Sequence, residues 1–360
     1  MVRILITGSA DGFGLEAARQ LVQRGHTVYL HARNQDRADH AQAACPGAAG
    51  VLIADLSNLE ATRQLAEEAN AIGTFDAVIL NAGMLSGPFR KTPDTGIPAM
   101  VFVNVVAPYI LACLLHRPKR LIIISSQLHR SAQNTAVEDI FWLKRGERTF
   151  QDFQAYCDSK FHVILIANAF ARLWQGRSSV VSVHPGWVAT KLGGAGAPDR
   201  LEDGVETYVM LAEGEYDQSI TGAYFDPKRK RGSALPATQD VALQEKAIKA
   251  CEEVTGLKMP VYPRDDKVQI QGFKGARLWT HIVGFEQRRV QKMANDGERD
   301  RNVNDRLLWI RADPGKGKTM LLCGIIDELT KEMPETRPLS YFFCQQSDAR
   351  LNDTTSVCEV

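Results

Sequence analysis

The chain has 360 residues, a formal net charge of +1, 24% charged and 44% hydrophobic side chains, values that exclude a strongly basic nucleic-acid or membrane-surface binder and allow two domains or one large one. Seven cysteines (45, 113, 157, 251, 323, 344, 358) have no paired metal-ligand spacing, so reduced thiols, no metal site and a cytoplasmic setting are expected. MVRILITGS leaves no room for a signal sequence, and the apolar runs YILACLL and RLIIISS are too short to span a bilayer.

Residues Arg3 to Thr7 predict a buried strand. A turn follows, Thr7-Gly8-Ser9-Ala10-Asp11-Gly12-Phe13-Gly14, and then a helix through LEAARQLVQRG that stops at Gly25. Strand, glycine turn and helix N-terminus are the order that brings backbone N–H groups to a pyrophosphate. The next strand, HTVYLHARN, ends in Ala32-Arg33-Asn34. Ala32 holds the place where NAD-preferring sites carry an acid, and the Arg33 guanidinium suits a 2′-phosphate, which favours NADP(H) over NAD(H). His26, His31 and His40 have no metal-ligand spacing and read as structural or surface residues.

Residues 51–56 predict a third strand with Asp55 and Leu56 at its end, and SNLEATRQLAEEANAIG a helix capped by Ser57 with Glu60 three residues on. A fourth strand, FDAVILNAG, runs into Asn81-Ala82-Gly83. A helix through VFVNVVAPYILACLL carries Asn104, and the strand RLIIISS delivers Ser125 and Ser126 at its carboxyl end, where open α/β sheets bind ligands. After a longer loop comes the helix AYCDSKFHVILIANAFARL. Tyr156 and Lys160 stand at i and i+4 on one face of it, a phenol beside an ammonium. Such a pair suits acid/base chemistry, because a neighbouring cation favours the phenolate. Bringing a phenol to ionise near neutrality takes about 4 kcal/mol of such interaction.

Residues 178–183 predict a strand that turns out through His184-Pro185-Gly186-Trp187-Val188-Ala189-Thr190. LEDGVETYVMLAEG reads as a helix, TGAYFDP as a last strand and DVALQEKAIKACEEVTG as a closing helix. Pro227-Lys228-Arg229-Lys230-Arg231 reads as a solvated turn rather than a nuclear address. The alternation of strand and helix argues for a parallel sheet covered on both faces.

Taken in order, TGxxxGxG, Asn81-Ala82-Gly83, Asn104, Ser126, Tyr156-xxx-Lys160 and Pro185-Gly186-x-Val188-x-Thr190 resemble the short-chain dehydrogenase/reductase family over residues 1–258. The span SSQLH…AYCDSKFHVIL…SVHPGWVATKL, including the long gap from Ser126 to Tyr156, resembles the retinol-dehydrogenase-like branch. The resemblance implies an α/β, doubly wound parallel sheet of the Rossmann type, and an NADP(H)-dependent oxidoreductase that interconverts a small carbonyl compound and its alcohol. It casts Tyr156 as general acid/base, Lys160 as the cation that lowers the Tyr156 pKa and holds the nicotinamide ribose, and Ser126 as hydrogen-bond partner of the substrate oxygen. Asn104 would hold a water of a proton relay. Thr7, Gly8, Ser9, Gly12, Phe13 and Gly14 would form the phosphate turn, Arg33 would face the 2′-phosphate, and Asp55 and Leu56, with Asn81 and Gly83, would line the adenosine side. Pro185, Gly186, Val188 and Thr190 would bracket the nicotinamide and pyrophosphate. Two features depart from the family pattern: acidic Asp11, and Phe13 where a smaller aliphatic residue is usual and which would crowd the phosphate turn. The resemblance also implies a homodimer or homotetramer through the helices that carry Asn104 and Tyr156.

Residues 259–270 read as a proline-broken linker, and 271–360 as an incomplete P-loop α/β segment. In RLLWIRADPGKGKTMLLCGIIDEL, Gly317, Lys318 and Thr319 are candidate phosphate ligands, with Ala312 replacing the first glycine of the motif. This segment resembles the start of the NACHT domain of fungal NOD-like receptors. The sequence reaches Val360 before any Walker B carboxylate, so ATP/Mg²⁺ chemistry is not expected. The alternative reading is a receptor-like signalling protein whose dehydrogenase fold is an effector or sensor coupled to that domain.

Overall fold

The structure is a computed structural model that describes residues 1–260 apart from Lys191, Leu192 and Gln218. The linker beyond residue 260 and the P-loop candidates Gly317, Lys318 and Thr319 lie outside the described residues.

Eight strands form one sheet in the order β3-β2-β1-β4-β5-β6-β7-β8. They are β1 (Arg3–Ile6), β2 (Thr27–Ala32), β3 (Gly50–Ile53), β4 (Ala77–Leu80), β5 (Arg120–Ile124), β6 (Ser179–Val183), β7 (Ala223–Asp226) and β8 (Lys230–Arg231). All neighbours pair parallel except β7 and β8, which form an antiparallel edge hairpin. The strand order reverses between β1 and β4, the switch point at which α/β sheets open a crevice for ligands. β4, β5 and β6 are buried along their whole length, as expected of central parallel strands covered on both faces.

Helices α1 (Gly12–Gln23), α2 (Gln35–Ala44) and α7 (Leu201–Glu213) pack on one face. The other face carries α3 (Leu59–Ile72), α4 (Ala99–Val101), α5 (Ala107–Leu114), α6 (Asp152–Leu173) and α8 (Val241–Thr255). Helix α4 runs through a π-helical turn, Phe102–Val106, into α5. Among the described residues no helix is long and apolar enough to cross a membrane.

One expectation changes, and one helix is added. Helix α3 is capped by Asn58, whose Oδ1 accepts from Ala61 N–H at 2.8 Å, and not by Ser57. Ser57 instead donates through its N–H and hydroxyl to Asp55, an Asx turn that ends β3 and leaves the capping position to the next residue. Helix α2 was not singled out, since QDRADHAQAA has few apolar residues to show its period; Asn34 caps it through Arg37 N–H. All of α6 from Ala155 to Ala171 is buried. Helix α8 packs along α6, and the segment after it is pinned to both helices: Tyr109 Oη donates to Leu257 O at 2.8 Å and Trp174 Nε1 to Pro260 O at 2.9 Å.

Candidate active site

The glycine turn is locked from three sides. Gly8 has φ +62°, and a Cβ there would stand 2.7 Å from Ala82 Cα, so a side chain is excluded by conformation and by space. Gly14 admits none either, because Asn81 Nδ2 would lie at 2.6 Å. That Asn81 amide donates to Thr7 O and Gly8 O at 2.9 and 3.0 Å, while Thr7 Oγ1 accepts from the N–H groups of Asn81 and Ala82. Behind it, the buried Tyr208 phenol donates to Asn81 Oδ1 at 3.0 Å, and its ring stacks on Phe13. Phe13 therefore packs against α7 and does not crowd the phosphate turn. His31 completes the lock: Nδ1 accepts from Gly8 N–H at 2.9 Å and Nε2 donates to Ala54 O at 3.0 Å. Burial pushes its pKa down to about 4, so the ring stays neutral and can do both. Ser9 is fully buried, with its hydroxyl between Ile6 O and His31 N–H, so its side chain serves the turn.

Helix α1 opens on this turn, and its N-cap Asp11 makes no side-chain cap. The first N–H groups are therefore presented toward the crevice, where they favour an anion. Asp11 is paired with Arg37, on the first turn of α2, so the acid in the turn carries its own counter-charge. Sequence reading missed Arg37; the signal was Asn34 as an N-cap, which places residue 37 beside the glycine turn. Arg33 follows β2 with an exposed guanidinium that makes no hydrogen bond or ion pair with the described residues. Asp55 is exposed and Leu56 buried just past β3. At the far side Thr190 Cγ2 lies 3.6 Å from where a Gly12 Cβ would be, so the loop after β6 reaches over the turn. That loop is tied by Asp199, whose carboxylate accepts from Trp187 N–H at 2.6 Å beside Gly186, at φ +102°. Val188 is buried, and Pro185 O lies against Gly204 of α7 with no room for a Cβ.

The catalytic candidates converge at the carboxyl ends of β4 and β5. A Cβ on Gly83 would stand 3.4 Å from both Asn104 Oδ1 and Lys160 Nζ. Asn104, in the π-helical turn, accepts from Met84 N–H and donates to Met84 O, both at 2.8 Å, and also donates to Ser159 Oγ at 3.0 Å. Lys160 Nζ donates to Ile124 O at 2.9 Å and lies 5.6 Å from the centre of the Tyr156 ring. Ser125 is committed to Lys160 O at 2.7 Å, which leaves Ser126 for chemistry. The Ser126 hydroxyl accepts from Leu128 N–H at 3.2 Å and lies close enough to the Tyr156 phenol to favour its ionised form. His129 braces that turn, donating from Nδ1 to Ser126 O at 2.7 Å and accepting from Leu235 N–H at 3.0 Å; this bridge was not visible in the sequence.

The electrostatics differ from the expected phenol beside a cation. Burial pushes the Tyr156 pKa up to about 12, partly offset by Ser126, and pushes Lys160 down to about 8. Desolvation opposes charge on both groups, and the Lys160 ammonium is turned to a carbonyl instead of to the phenol. The protein thus holds Tyr156 as a protonated acid.

The long gap before Tyr156 folds as 3₁₀ turns around a buried ionic knot. Arg145 bonds Asp158 of α6 at 2.8 Å and donates to Asp139, with its guanidinium 3.4 Å over the Trp142 ring. Asp139 in turn accepts from the backbone N–H groups of Leu143, Lys144 and Arg145. Asp158 is two positions from Tyr156, so the knot fastens the insertion to the catalytic helix.

Comparison with known proteins agrees with this geometry. Residues 3–132 match the family described as short chain dehydrogenase. The short-chain dehydrogenase chyC of Penicillium rubens is 69% identical over 260 residues, covering 72% of this chain and 100% of that protein. Human retinol dehydrogenase 11 is 31% identical over 206 residues, 52% of this chain and 62% of that one. A crystal structure of an uncharacterised protein from Mycobacterium paratuberculosis shares the fold, with TM-score 0.61 and 21% identity over 72% of this chain and 96% of that one. Residues 285–359 match the family described as Nephrocystin 3, N-terminal. The vegetative incompatibility protein HET-E-1 of Podospora anserina is 47% identical over 95 residues, 26% of this chain and 7% of that protein. With its relatedness to chyC running through the whole sheet and both site helices, this chain belongs to the short-chain dehydrogenase family.

Proposed function

We propose that this oxidoreductase is NADP(H)-dependent and reduces a small carbonyl compound, or oxidises the matching alcohol, with Tyr156 as the proton donor or acceptor. The observation that carries the reading is the convergence of Ser126, Tyr156, Lys160 and Asn104 at the switch-point end of the sheet. The crevice fits a dinucleotide: Gly8 and Gly14 form a cradle that a Cβ would fill, and α1 offers N–H groups without a side-chain cap. Thr7, Gly8, Gly12 and Gly14 would hold the pyrophosphate, Arg33 the 2′-phosphate, and Lys160 the nicotinamide ribose. When bound, the cofactor supplies the hydride.

The chain's own groups handle the proton. Ser126 Oγ accepts from Leu128 N–H, which leaves its O–H to donate to a substrate oxygen beside the phenol. A phenol held protonated to about pH 12 is an acid ready to donate as negative charge grows on that oxygen. Lys160 and Asn104, side by side at Gly83, form the path by which the proton is replaced. The receptor-like alternative rests on the family match over residues 285–359 and on the 95 residues shared with HET-E-1.

The test is cofactor consumption with NADPH against a panel of ketones, aldehydes and quinones. Tyr156→Phe should lower turnover by about a thousandfold, within the usual range for losing a general acid, while NADPH binding is kept. Unchanged turnover in the variant would remove Tyr156 from the chemistry.

A further inference from the structure

Ser126 is held on its carbonyl side by one residue. It caps a 3₁₀ turn, Gln127–Ser131, and its carbonyl accepts from His129 twice, from the backbone N–H at 3.1 Å and from ring Nδ1 at 2.7 Å. Hydrogen bonds within a 3₁₀ turn have poor geometry, so a short one gains from support outside it. The His129 side chain is fully buried, and its other ring nitrogen, Nε2, accepts from Leu235 N–H at 3.0 Å. A ring that donates at Nδ1 and accepts at Nε2 is neutral and fixed as the Nδ1–H tautomer. Burial lowers its pKa, which keeps it neutral near pH 7. The Tyr224 phenol oxygen stands 3.5 Å from Nδ1, longer than the usual hydrogen bond, so that N–H is committed to Ser126.

Leu235 carries the tie onward. Its carbonyl accepts from the Thr238 N–H and hydroxyl at 2.9 and 2.7 Å. Thr238 O in turn accepts from the Asn168 amide at 2.8 Å and the Gln244 amide at 3.0 Å. Asn168 lies on α6, the helix of Tyr156, and Gln244 on α8. Arg130 donates to Ser233 O and fastens the same segment to the turn. On the other side of Ser126, Ser125 donates to Lys160 O of α6 at 2.7 Å. Ser126 follows β5 and Tyr156 rides on α6, so the distance between their hydroxyls depends on such ties. Ser125 supplies one directly, and His129 supplies the other through Leu235, Thr238 and Asn168.

We propose that His129 is a positioning residue for the reaction: by spanning from Ser126 O to Leu235 N–H it sets the Ser126 hydroxyl against α6, where the Tyr156 phenol meets the substrate oxygen. The inference rests on the reductase reading above. It gives His129 no contact with substrate or cofactor and no proton transfer. A misplacement of about 1 Å at a reacting group costs about a hundredfold in rate, so the tie acts on kcat.

The experiment uses the full chain with NADPH and the best substrate of the ketone, aldehyde and quinone panel. His129→Phe keeps a ring and removes both bonds; kcat should fall about a hundredfold, while KM and the NADPH Kd stay within about twofold. His129→Asn, whose amide can still donate to Ser126 O, should recover about tenfold of that loss. Leu235→Pro removes the far N–H at a position whose φ of −54° already suits proline, and should lower kcat about tenfold. Unchanged kcat in His129→Phe, or a loss of NADPH affinity equal to the loss of kcat, overturns the inference. Full recovery in His129→Asn beside an unaffected Leu235→Pro overturns it too. Should His129→Phe fail to fold, Leu235→Pro decides by the same readout. NMR of isotope-labelled histidine, with His129 assigned by its loss in His129→Asn, reads the tie without turnover: the Nδ1–H tautomer sustains it and the Nε2–H tautomer overturns it. With nothing in the panel turned over, the reductase reading fails, and that spectrum alone decides the tie.

Discussion

The cofactor half and the substrate half of this site are held in different ways. Around the glycine turn the locks are neutral: Asn81 to Gly8 O, Tyr208 to Asn81, His31 to Gly8 N–H. Every partner is uncharged, with His31 and Tyr208 buried, and a side chain at Gly8 or Gly14 would collide with the backbone or amide beside it. The insertion before Tyr156 is instead fastened by charge, through Arg145 between Asp139 and Asp158. A neutral lock fixes one geometry and is indifferent to salt and, above the pH near 4 where His31 takes up a proton, to pH. An ionic knot in a loop is stable only while both signs are present, because a single buried charge left alone is costly.

The sharpest way to break the comparison is Arg145→Ala. It removes the counter-charge of Asp158, whose side chain is 3% exposed and keeps only hydrogen bonds from Gln133 N–H and the Gln154 amide, and should cost about 3 kcal/mol in chemical denaturation. A loss within about 0.5 kcal/mol would mean that the insertion is held by its aromatic packing and that the contrast is false.

Lys160 gives the next largest effect, by way of pH. Its pKa is about 8 in the folded protein, below its unfolded value, so between about pH 8 and pH 10 the unfolded chain binds more protons. Burying the ammonium is therefore a penalty present in full below pH 8 and relieved as pH rises through that window. Lys160→Met should stabilise the protein at pH 7 by up to about 3 kcal/mol and flatten the rise. Tyr156, raised to about 12, acts with the opposite sign and only above pH 10. Buried thiols such as Cys157 are also raised, but they cancel in the difference between wild type and variant. Parallel melting curves across pH 7 to 10 would show that the ammonium is not desolvated.

The smallest expected effect sharpens the cofactor half. Arg33→Ala should weaken NADPH roughly tenfold, the share of a charge-assisted contact to phosphate, and leave NADH nearly unchanged. Equal weakening of both cofactors in a binding titration would take the 2′-phosphate role from Arg33.

The two halves also differ in how far they can be read from residues alone. Strands β1 to β6 and the glycine turn are legible because their signals are local: apolar runs of strand length, glycines at fixed spacing, and a helix with Tyr156 and Lys160 on one face. The same local reading finds Gly83 beside Asn104 only through the family resemblance, and it finds neither His31 nor Tyr208 as locks. Those two act on residues far away along the chain, and a histidine in a strand looks the same whether it faces solvent or Gly8. Ser57 and Asn58 show the limit of spacing rules: both are good caps, and Asp55 decides between them by drawing Ser57 into its own turn. The insertion is the least legible part, since Asp139, Arg145 and Asp158 are ordinary surface-type residues until folding buries them. The pKa of Tyr156 fails for a related reason. Helical spacing sets the distance between phenol and ammonium, whereas burial, which spacing does not report, sets the sign of the shift.

The seam along α6 has a consequence for how the fold bears load. Trp174, at the carboxyl end of α6, grips Pro260, whereas Tyr156 sits near the amino end of that 22-residue helix, about 30 Å away at 1.5 Å per residue. Pro260 is therefore anchored at the end of α6 opposite Tyr156, so a load on that anchor is borne by Trp174 and the hydrophobic seam and not by the candidate catalytic residues.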